Sequence, residues 1–349
     1  MTGTKKLRNL FVCLAMGAAL LSGQALAQDS ESCYGYSDTI IFGEQDWDSA
    51  QVNNAIARFV LEEGFGCSTD IIPGSTVPMQ QGLIRGDIDV LTEIWLDNPA
   101  EFLPGALESG DIVDLGVIFD DGQQGWLVPR YMVEGDPERG IEPVAPDLRT
   151  VEDIAQYAHL FQDPEQPNMG RFHNCIIGWV CEEINNGKLR AYGLDEHFVS
   201  FPPGTGVALV SSLQAAYAQG EPWFGYYWSP TWVLGQFDMI MLDEPEYSDQ
   251  CWDHLNANLD DPEEACEYPA SVVIVGVSSQ FAEEIDPAIL DFLSGFELSS
   301  ALVSEALAYM QQNDAFPEEA AEHFLESQQD LWTEWVPADV AQRVQSALR

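Results

Sequence analysis

Hydrophobic positions along the chain alternate between short continuous runs and stretches with the 3.6-residue period of an amphipathic helix. Apolar runs bounded by turn residues predict strands, and the periodic stretches between them predict helices that end at glycine. In the first third of the chain this pattern predicts strands at 38–43, 68–74, 87–95 and 111–119, and helices at 48–64, 77–86 and about 99–110. Gly64 is the expected end of the first helix.

The same alternation continues to the C-terminus. Strands are predicted at 122–129, 222–228 and 271–278, a strand leading into a loop at 170–181, helices at 149–158, 180–193 and 207–220, and helices throughout from 279 onwards. A further helix is predicted after residue 228, because Ser229 is a natural N-cap and Pro230 suits the first helical turn.

Strands that alternate with helices at this spacing predict parallel βαβ units, and therefore an α/β fold with two lobes. We assign residues 28–121 plus 271–349 to the first lobe, since the strand 271–278 is expected to return the chain there. Residues 122–240 form the second lobe, and residues 241–270 form a disulfide-bearing loop or insert. Ligands of open α/β sheets bind at the carboxyl ends of strands, so the cleft is the expected site.

The N-terminus carries the features of a secretory signal peptide. Lys5, Lys6 and Arg8 precede an apolar run that is too short to span a bilayer comfortably, and Ala25-Leu26-Ala27 is a small-x-small cleavage site. Residues 1–27 are therefore excluded from the fold. The mature chain is expected to be a soluble, exported protein of the periplasm.

The charge balance is strongly acidic. The chain has 13 Lys+Arg against 58 Asp+Glu, a formal net charge of −45. Such a surface repels nucleic acid and anionic membranes, so we expect neither as a partner. It is compatible with attraction of a cationic ligand, but charge spread along a whole chain reports solubility more than a site, and we favour an acidic surface adapted to high salt.

The cysteine count predicts disulfides rather than a metal site. Of seven cysteines, Cys13 lies in the signal peptide, which leaves an even number for an oxidising compartment. Pairing of sequence neighbours is the simplest of several possibilities and gives Cys33–Cys67, Cys175–Cys181 and Cys251–Cys266. No zinc or zincin spacing is present, and His173 is the only histidine close to a cysteine pair, so no metal or cofactor is expected.

Four tryptophans occupy positions where ligands bind rather than the middle of elements. Trp47 follows the first strand, Trp95 ends the third, Trp179 precedes a helix in NCIIGWVC, and Trp228 ends the strand PWFGYYW. Trp126 and Trp232 are expected in the core, as are Phe224 and Tyr226, whereas alternation places Tyr227 on the face opposite Trp228. Each tryptophan alone could be a packing residue, but the set of four is not the pattern of a core.

Aromatic faces bind sugars and cations. A quaternary ammonium ion has no N–H to donate, so ordinary hydrogen bonds cannot hold it. Several rings around it supply cation–π attraction and apolar contact together, each worth ~0.5–2 kcal/mol. A cage of this kind is one interpretation of the tryptophan set, and a carbohydrate platform is another.

Three stretches, DIDVLTEIWLDN (87–98), CIIGWVCEEIN (175–185) and YYWSPTWVLGQFDMIMLDEPEY (226–247), resemble the substrate-binding proteins of glycine betaine/choline/proline-betaine ABC importers. The resemblance covers most of the mature chain. It implies a type II periplasmic binding protein, with two lobes that close over the ligand. It also implies a cage of Trp95, Trp179 and Trp228, completed by Trp47 as in some members, and supports the Cys175–Cys181 disulfide.

The resemblance further implies that backbone N–H groups of Val180 and Cys181 hold a ligand carboxylate at a helix N-terminus, where anions are favoured. The histidine that some members carry shortly after the first-lobe tryptophan is missing from WLDN (95–98). Arg171 and His173 are alternative anion partners or structural residues. Four acidic residues flank the cage and either favour a ligand without a carboxylate or cap helices and face solvent: Asp46, Asp48, Glu93 and Asp97.

The resemblance implies a monomeric receptor that delivers its ligand to an inner-membrane ABC permease with its ATPase. Glycine betaine is the first candidate, and choline, proline betaine, carnitine, trimethylamine N-oxide and dimethylsulfoniopropionate are alternatives. A periplasmic enzyme is the alternative of a different class. It is disfavoured because G-x-S-x-G and zincin motifs are absent, and because Glu182 and Glu183 lie at a helix start where acidic residues are common anyway.

Overall fold

The computed structural model describes residue 33, residues 38–97 and residues 99–349. The predicted signal peptide, 1–27, lies outside this part of the chain. Within it, none of the helices combines the length and the apolar composition needed to cross a bilayer.

The first segment of the chain alternates strands and helices as predicted. Its elements are β1 (Ile40–Gln45), α1 (Asp48–Phe59), β2 (Thr69–Gly74), α2 (Thr76–Arg85), β3 (Val90–Trp95), α3 (Leu103–Ser109) and β4 (Ile112–Gly122). A π-helical turn, Val60–Phe65, continues α1. Gly66, in the left-handed conformation, ends this helix, so the predicted end at Gly64 is wrong. Gly64 instead faces the side chains of Val340 and Val344.

The second segment contains shorter elements. They are β5 (Gln124–Pro129), α4 (Arg130–Glu134), β6 (Gly170–His173), α5 (Val180–Ala191), β7 (Phe198–Phe201), α6 (Gly206–Gln219), β8 (Gly225–Trp228), α7 (Val233–Gln236), β9 (Met239–Met241) and α8 (Asp249–Ala257). Two 3-10 helices, Asp153–Phe161 and Leu194–Glu196, are interspersed. The α-helix predicted at 149–158 is therefore a 3-10 helix that starts later, after Thr150 and Asp153 have exchanged hydrogen bonds.

The helix predicted to start at Ser229 begins at Val233 instead. The Ser229–Pro230 peptide bond is cis. Ser229 does not cap the helix, because its backbone N–H donates to the Gln123 carbonyl (2.7 Å) and its hydroxyl accepts from the Gln123 N–H (2.9 Å). A tertiary contact thus replaces the local cap.

The last segment consists of β10 (Ser271–Ser278), α9 (Ser279–Glu284), α10 (Pro287–Ser294), α11 (Ser300–Asn313), α12 (Pro317–Ser327), α13 (Gln329–Trp332) and α14 (Ala338–Ala347). The prediction of one strand followed by helices is confirmed. Ser278, Asp286 and Ser299 cap α9, α10 and α11 with their side chains. Helices α11 and α12 pack on α1, and α14 packs on its π-helical turn.

Two five-stranded sheets define two α/β lobes, as predicted. The first has the order β2-β1-β3-β10-β4, and the second has the order β7-β6-β8-β5-β9. In the first sheet β1 is parallel to β2 and β3, but β10 is antiparallel to both of its neighbours. In the second, β6 is parallel to β7 and β8, but β5 is antiparallel to β8 and β9. The parallel βαβ units predicted from the sequence are present in both sheets, and β10 and β5, which follow the crossings between the lobes, add antiparallel pairs.

The two chain crossings between the sheets lie side by side. The first runs from Gly122 in β4 to Gln124 in β5, and the second ends at Ser271, which pairs with Gly122. A Cβ on Gly122 would lie 2.8 Å from the Ser229 carbonyl oxygen and 3.1 Å from the Ser271 Cβ. The absence of a side chain at Gly122 therefore lets both crossings and the β8–α7 loop approach one another.

Within the described residues, three disulfide bonds join Cys33 to Cys67, Cys175 to Cys181, and Cys251 to Cys266. The second connects the residues after β6 to the first turn of α5. The third connects α8 to the loop before β10, within the region that the sequence assigns to a disulfide-bearing insert.

Candidate ligand-binding site

The four tryptophans singled out in the sequence lie at ends of elements. Trp47 is the N-cap residue of α1 directly after β1, and Trp95 is the last residue of β3. Trp179 is the N-cap residue of α5, and Trp228 is the last residue of β8. The carboxyl ends of the parallel strands in both sheets carry these residues, which is where α/β folds bind ligands.

These residues line one cavity between the lobes. The space between them is about 430 Å³, including the part that opens to solvent. Its lining consists of Trp47, Thr76, Trp95, Trp179, Val180, Cys181, Tyr226 and Trp228. All six residues that the sequence nominated as ligand contacts are thus brought together.

The tryptophan rings that line the cavity are inclined to one another. Trp179 lies edge-on to Trp47, with ring centroids 5.3 Å apart and planes 78° apart. It is also edge-on to Trp228, at 5.1 Å and 86°. Tyr226 stacks beside Trp228, at 6.0 Å and 22°. The plane of Trp179 is therefore nearly perpendicular to those of Trp47 and Trp228, so the aromatic lining of the cavity is not a single stack.

Carboxylates fix three of the four indoles from behind. Glu93, in β3, accepts the indole N–H of Trp47 at 2.7 Å and that of Trp95 at 3.2 Å, both on Oε2. Asp46 accepts the indole N–H of Trp179 at 2.6 Å. Glu93 is fully buried, and this burial raises the pKa of its carboxyl, although the hydrogen bonds from the indoles oppose the rise.

The acidic residues near the cage differ in their roles. Glu93 neither caps a helix nor faces solvent, so the interpretation of the flanking acidic residues as helix caps or solvent-facing groups is wrong for this residue. Burial raises the pKa of Asp48, and a hydrogen bond from Trp232 opposes that effect. Asp97 is buried at the chain crossings, and burial raises its pKa to about 7. Its backbone carbonyl accepts the indole N–H of Trp252 at 2.9 Å.

The first turn of α5 closes one end of the cavity. Val180 and Cys181 are the first two residues of this helix, and no side chain of the N-cap residue satisfies their N–H groups. Such groups carry the positive end of the helix dipole. The loop before them is held by Asn174, whose side-chain oxygen accepts the backbone N–H of Cys175 at 2.6 Å. At Gly178, with φ of 98°, a Cβ would lie 2.7 Å from the Ser75 hydroxyl of the other lobe.

Two lining residues were not predicted. Tyr226 was expected to pack the strand, but its ring lines the cavity and its hydroxyl donates to Gln124 Oε1 at 2.7 Å. Strand alternation places it on the same face as Trp228, which was the available signal. Thr76 starts α2 just after β2, another strand-to-helix loop. Tyr227, which alternation places on the face opposite Trp228, is absent from the cavity lining, and its ring lies 4.8 Å from that of Trp228.

Arg171 and His173, the alternative anion partners, do not line this cavity. Arg171 donates to Asp163 at 2.8 Å and lies over the ring of Phe201. His173 stacks on Trp223 at 5.3 Å, and burial lowers its pKa to about 4. Both residues line a different pocket of the second lobe, so they are structural with respect to the aromatic site. In the described part of the chain, no group of three or more His, Cys, Asp or Glu side chains is arranged to hold a metal ion.

Comparisons with known proteins agree with this geometry. The family model OpuAC, the substrate-binding domain of ABC-type glycine betaine transport systems, matches residues 38–327. The glycine betaine/proline betaine-binding periplasmic protein of Escherichia coli strain K12 is 27% identical over 139 residues, which are 37% of this chain and 38% of that protein. The match to this curated relative therefore spans well under half of its length.

Solved structures share the fold over nearly the whole chain. The glycine betaine, L-proline-binding protein (ProX) of Borrelia burgdorferi superimposes with a TM-score of 0.69 at 18% identity, covering 88% of this chain and 100% of that one. An ABC-transporter choline-binding protein in complex with choline gives a TM-score of 0.69 at 17% identity, covering 89% and 98%. The fold is that of a type II periplasmic binding protein. Since the family model covers most of its length, the chain belongs to the family of substrate-binding domains of ABC-type glycine betaine transport systems.

Proposed function

We propose that this protein is a periplasmic receptor that binds a quaternary-ammonium compatible solute, glycine betaine foremost, and delivers it to an ABC importer. The observation that carries the proposal is the convergence of Trp47, Trp95, Trp179 and Trp228 on one cavity. Among the described residues that line it, none is a lysine, arginine or histidine. The cavity therefore offers ring faces to a cation and no side chain that would repel it.

The energy of such a site is sufficient for a receptor. A cation over an aromatic face gains ~0.5–2 kcal/mol, more where water is excluded. Four rings, with the apolar contact of the methyl groups, reach the roughly 8 kcal/mol that corresponds to micromolar affinity.

The opposite end of the cavity suits a carboxylate. The N–H groups of Val180 and Cys181 begin α5 and lie in the cavity lining. An anion at this point gains hydrogen bonds and the favourable end of the helix dipole. A ligand with a trimethylammonium head and a short carboxylate arm matches both features, which favours glycine betaine over choline and trimethylamine N-oxide, because these two have no carboxylate. Carnitine and dimethylsulfoniopropionate also carry a carboxylate and are distinguished by titration.

Ligand binding and lobe closure are coupled in this proposal. Trp47 and Trp95 come from the first sheet, whereas Trp179 and Trp228 come from the second, so only the closed protein surrounds a ligand. A ligand that contacts both halves shifts the population towards that state. The closed, loaded monomer is then the form that an inner-membrane permease with its ATPase would accept, and no catalytic group is required.

The test is isothermal titration of the mature protein, in salt, with glycine betaine, choline and trimethylamine N-oxide. Trp228→Ala is compared with Trp232→Ala, because the two indoles are 8% and 7% exposed and only Trp228 lines the cavity. We expect micromolar or tighter binding of at least one ligand, lost in Trp228→Ala and retained in Trp232→Ala. The absence of binding by a folded wild type, or recovery of a chemically altered ligand, would refute a quaternary-ammonium receptor.

A further inference from the structure

Glu93 occupies an unusual position directly behind the tryptophan cavity. It is fully buried in the middle of β3, a strand whose residues are almost all buried. Because Glu93 and Trp95 are two residues apart on one strand, their side chains leave the same face. The carboxylate does not line the cavity itself, since the indoles of Trp47 and Trp95 lie between the carboxylate and the cavity.

The hydrogen bonds of this carboxylate are those of an anion. Oε2 accepts the N–H groups of Trp47 and Trp95, and Oε1 accepts the side-chain N–H of Asn53 at 2.8 Å. All three partners donate, and a carboxylate that accepts two or three N–H groups is stabilised in its charged form. These donors favour the charged form of the carboxyl and oppose the rise in its pKa that burial causes.

That charge has no countercharge in the protein. Among the ion pairs of the described residues, none includes Glu93. Buried carboxylates are normally paired, because an isolated charge loses its hydration and gains nothing in exchange. The cavity that Trp47 and Trp95 line lies next to this carboxylate, on the other side of the two rings.

We propose that Glu93 is a specificity-determining residue that acts through the rings of Trp47 and Trp95 and supplies the countercharge for a bound cation. The inference rests on the proposed function and deepens it. An indole whose N–H donates to an anion gains electron density, so the face it presents to the cavity becomes more negative. The carboxylate also attracts the cation directly across a dry, ring-filled gap in which water does not screen the interaction.

This role predicts discrimination by charge rather than by shape. Choline and 3,3-dimethylbutan-1-ol have nearly the same shape, but the second carries a carbon in place of the ammonium nitrogen and is neutral. A residue that only positioned the rings would matter equally for both ligands. A countercharge matters for choline alone, so the ratio of the two affinities reports it.

The experiment is titration of both ligands into the wild type, Glu93→Gln and Asp48→Asn. Asp48→Asn is the matched control, because it removes a partly buried carboxylate beside Trp47 that receives the indole of Trp232, which lies outside the cavity lining. We expect Glu93→Gln to weaken choline binding at least about tenfold and to change binding of the neutral analogue less than about threefold. Asp48→Asn should leave the ratio unchanged. If the glutamine variant does not fold, Glu93→Met provides the same comparison, since methionine has a similar length and needs no hydrogen-bond partner.

The outcomes separate this inference from the proposed function. In one outcome the wild type binds glycine betaine or choline while Glu93→Gln leaves the ratio of choline affinity to analogue affinity unchanged. That result would refute the role of Glu93 as a countercharge and would leave the proposed receptor function intact. A ratio lost equally in Asp48→Asn also overturns it, because the effect would then belong to net charge. A wild type that binds no quaternary ammonium ion removes both.

Discussion

Asp97 makes the stability of this protein depend on pH in a direction opposite to that of most paired carboxylates. Its side chain accepts hydrogen bonds from Gln124 and Ser271 where the chain crosses between the lobes, and it is 7% exposed. In the described part of the chain its second carboxyl oxygen, Oδ1, has no hydrogen-bond partner. Burial raises its pKa from 3.8 to about 7, against the opposing effect of the hydrogen bonds.

The sign follows from proton counting. Between pH 3.8 and about 7 the folded chain keeps a proton on Asp97 that the unfolded chain has released. The folded state binds more protons in this window, so the free energy of unfolding decreases as the pH rises through it and is constant outside it. At about 1.4 kcal/mol per pKa unit, the full decrease is about 4 kcal/mol.

Asp97→Asn removes this titration while keeping an oxygen that can accept from Gln124. We expect the variant to gain stability relative to the wild type as the pH rises from about 4 to about 8, by up to about 4 kcal/mol. The measurement is guanidinium unfolding at several pH values, followed by tryptophan fluorescence and far-UV circular dichroism, with coincident transitions as the test of two-state behaviour. Asp70→Asn, at an exposed carboxylate of β2, is the control for loss of one negative charge.

The comparison is a difference between two proteins at each pH, so the other titrating groups cancel. A stability difference between Asp97→Asn and the wild type that stays constant within about 0.5 kcal/mol over the whole range would refute the reasoning. So would a difference of the same size and slope in Asp70→Asn, because the effect would then come from net charge rather than from burial.

Two further predictions concern buried groups of the second lobe. Burial lowers the pKa of His173 from 6.5 to about 4, so as the pH falls the unfolded chain binds a proton at this residue before the folded chain does. The wild type therefore loses up to about 3 kcal/mol of stability between about pH 6.5 and 4 through His173, and His173→Phe should not show this loss. Denaturant unfolding across that range checks it, and an unchanged slope would contradict it. Lys188 is fully buried, with its Nζ 2.7 Å from a carboxylate oxygen of Glu244. Lys188→Met should lower the free energy of unfolding by about 3–5 kcal/mol, because it leaves the Glu244 charge buried without a partner. The double variant Lys188→Met with Glu244→Gln should recover most of that free energy. A double variant as unstable as the single one would contradict the pairing.

The element order was predictable because each signal for it is local. Continuous apolar runs became strands, and helices ended at glycines such as Gly110, Gly193 and Gly220, or very near them. The direction of β10 within its sheet was not predictable, because the side-chain pattern of a buried strand is the same in parallel and antiparallel pairs. Ser229 shows the converse case, in which a good local capping signal loses to hydrogen bonds with Gln123, 106 residues away in sequence.

The cavity was predictable for a different reason. Strand ends that carry large aromatic residues converge at one edge of each sheet, so the positions of Trp95 and Trp228 indicated the site before any contact was known. What sequence could not separate was cavity-facing from core-facing burial. Tyr226 and Glu93 both lie in strands that are almost entirely buried, and only three-dimensional contacts show that one lines the cavity and the other accepts hydrogen bonds from its rings.

The two halves of the cage are held differently, and this difference bears on how recognition relates to closure. Glu93 binds Trp47 and Trp95 within the first lobe, so that half keeps its geometry whether or not the second lobe is near. Trp179 has its indole N–H on Asp46 and its ring edge against Trp47, both of which belong to the other lobe. Trp179 also lies edge-on to Trp228 of its own lobe, so contacts from both lobes position its ring. In the proposed receptor a cation between these halves would contact both lobes, and the contacts that recognise it would then also hold the lobes together.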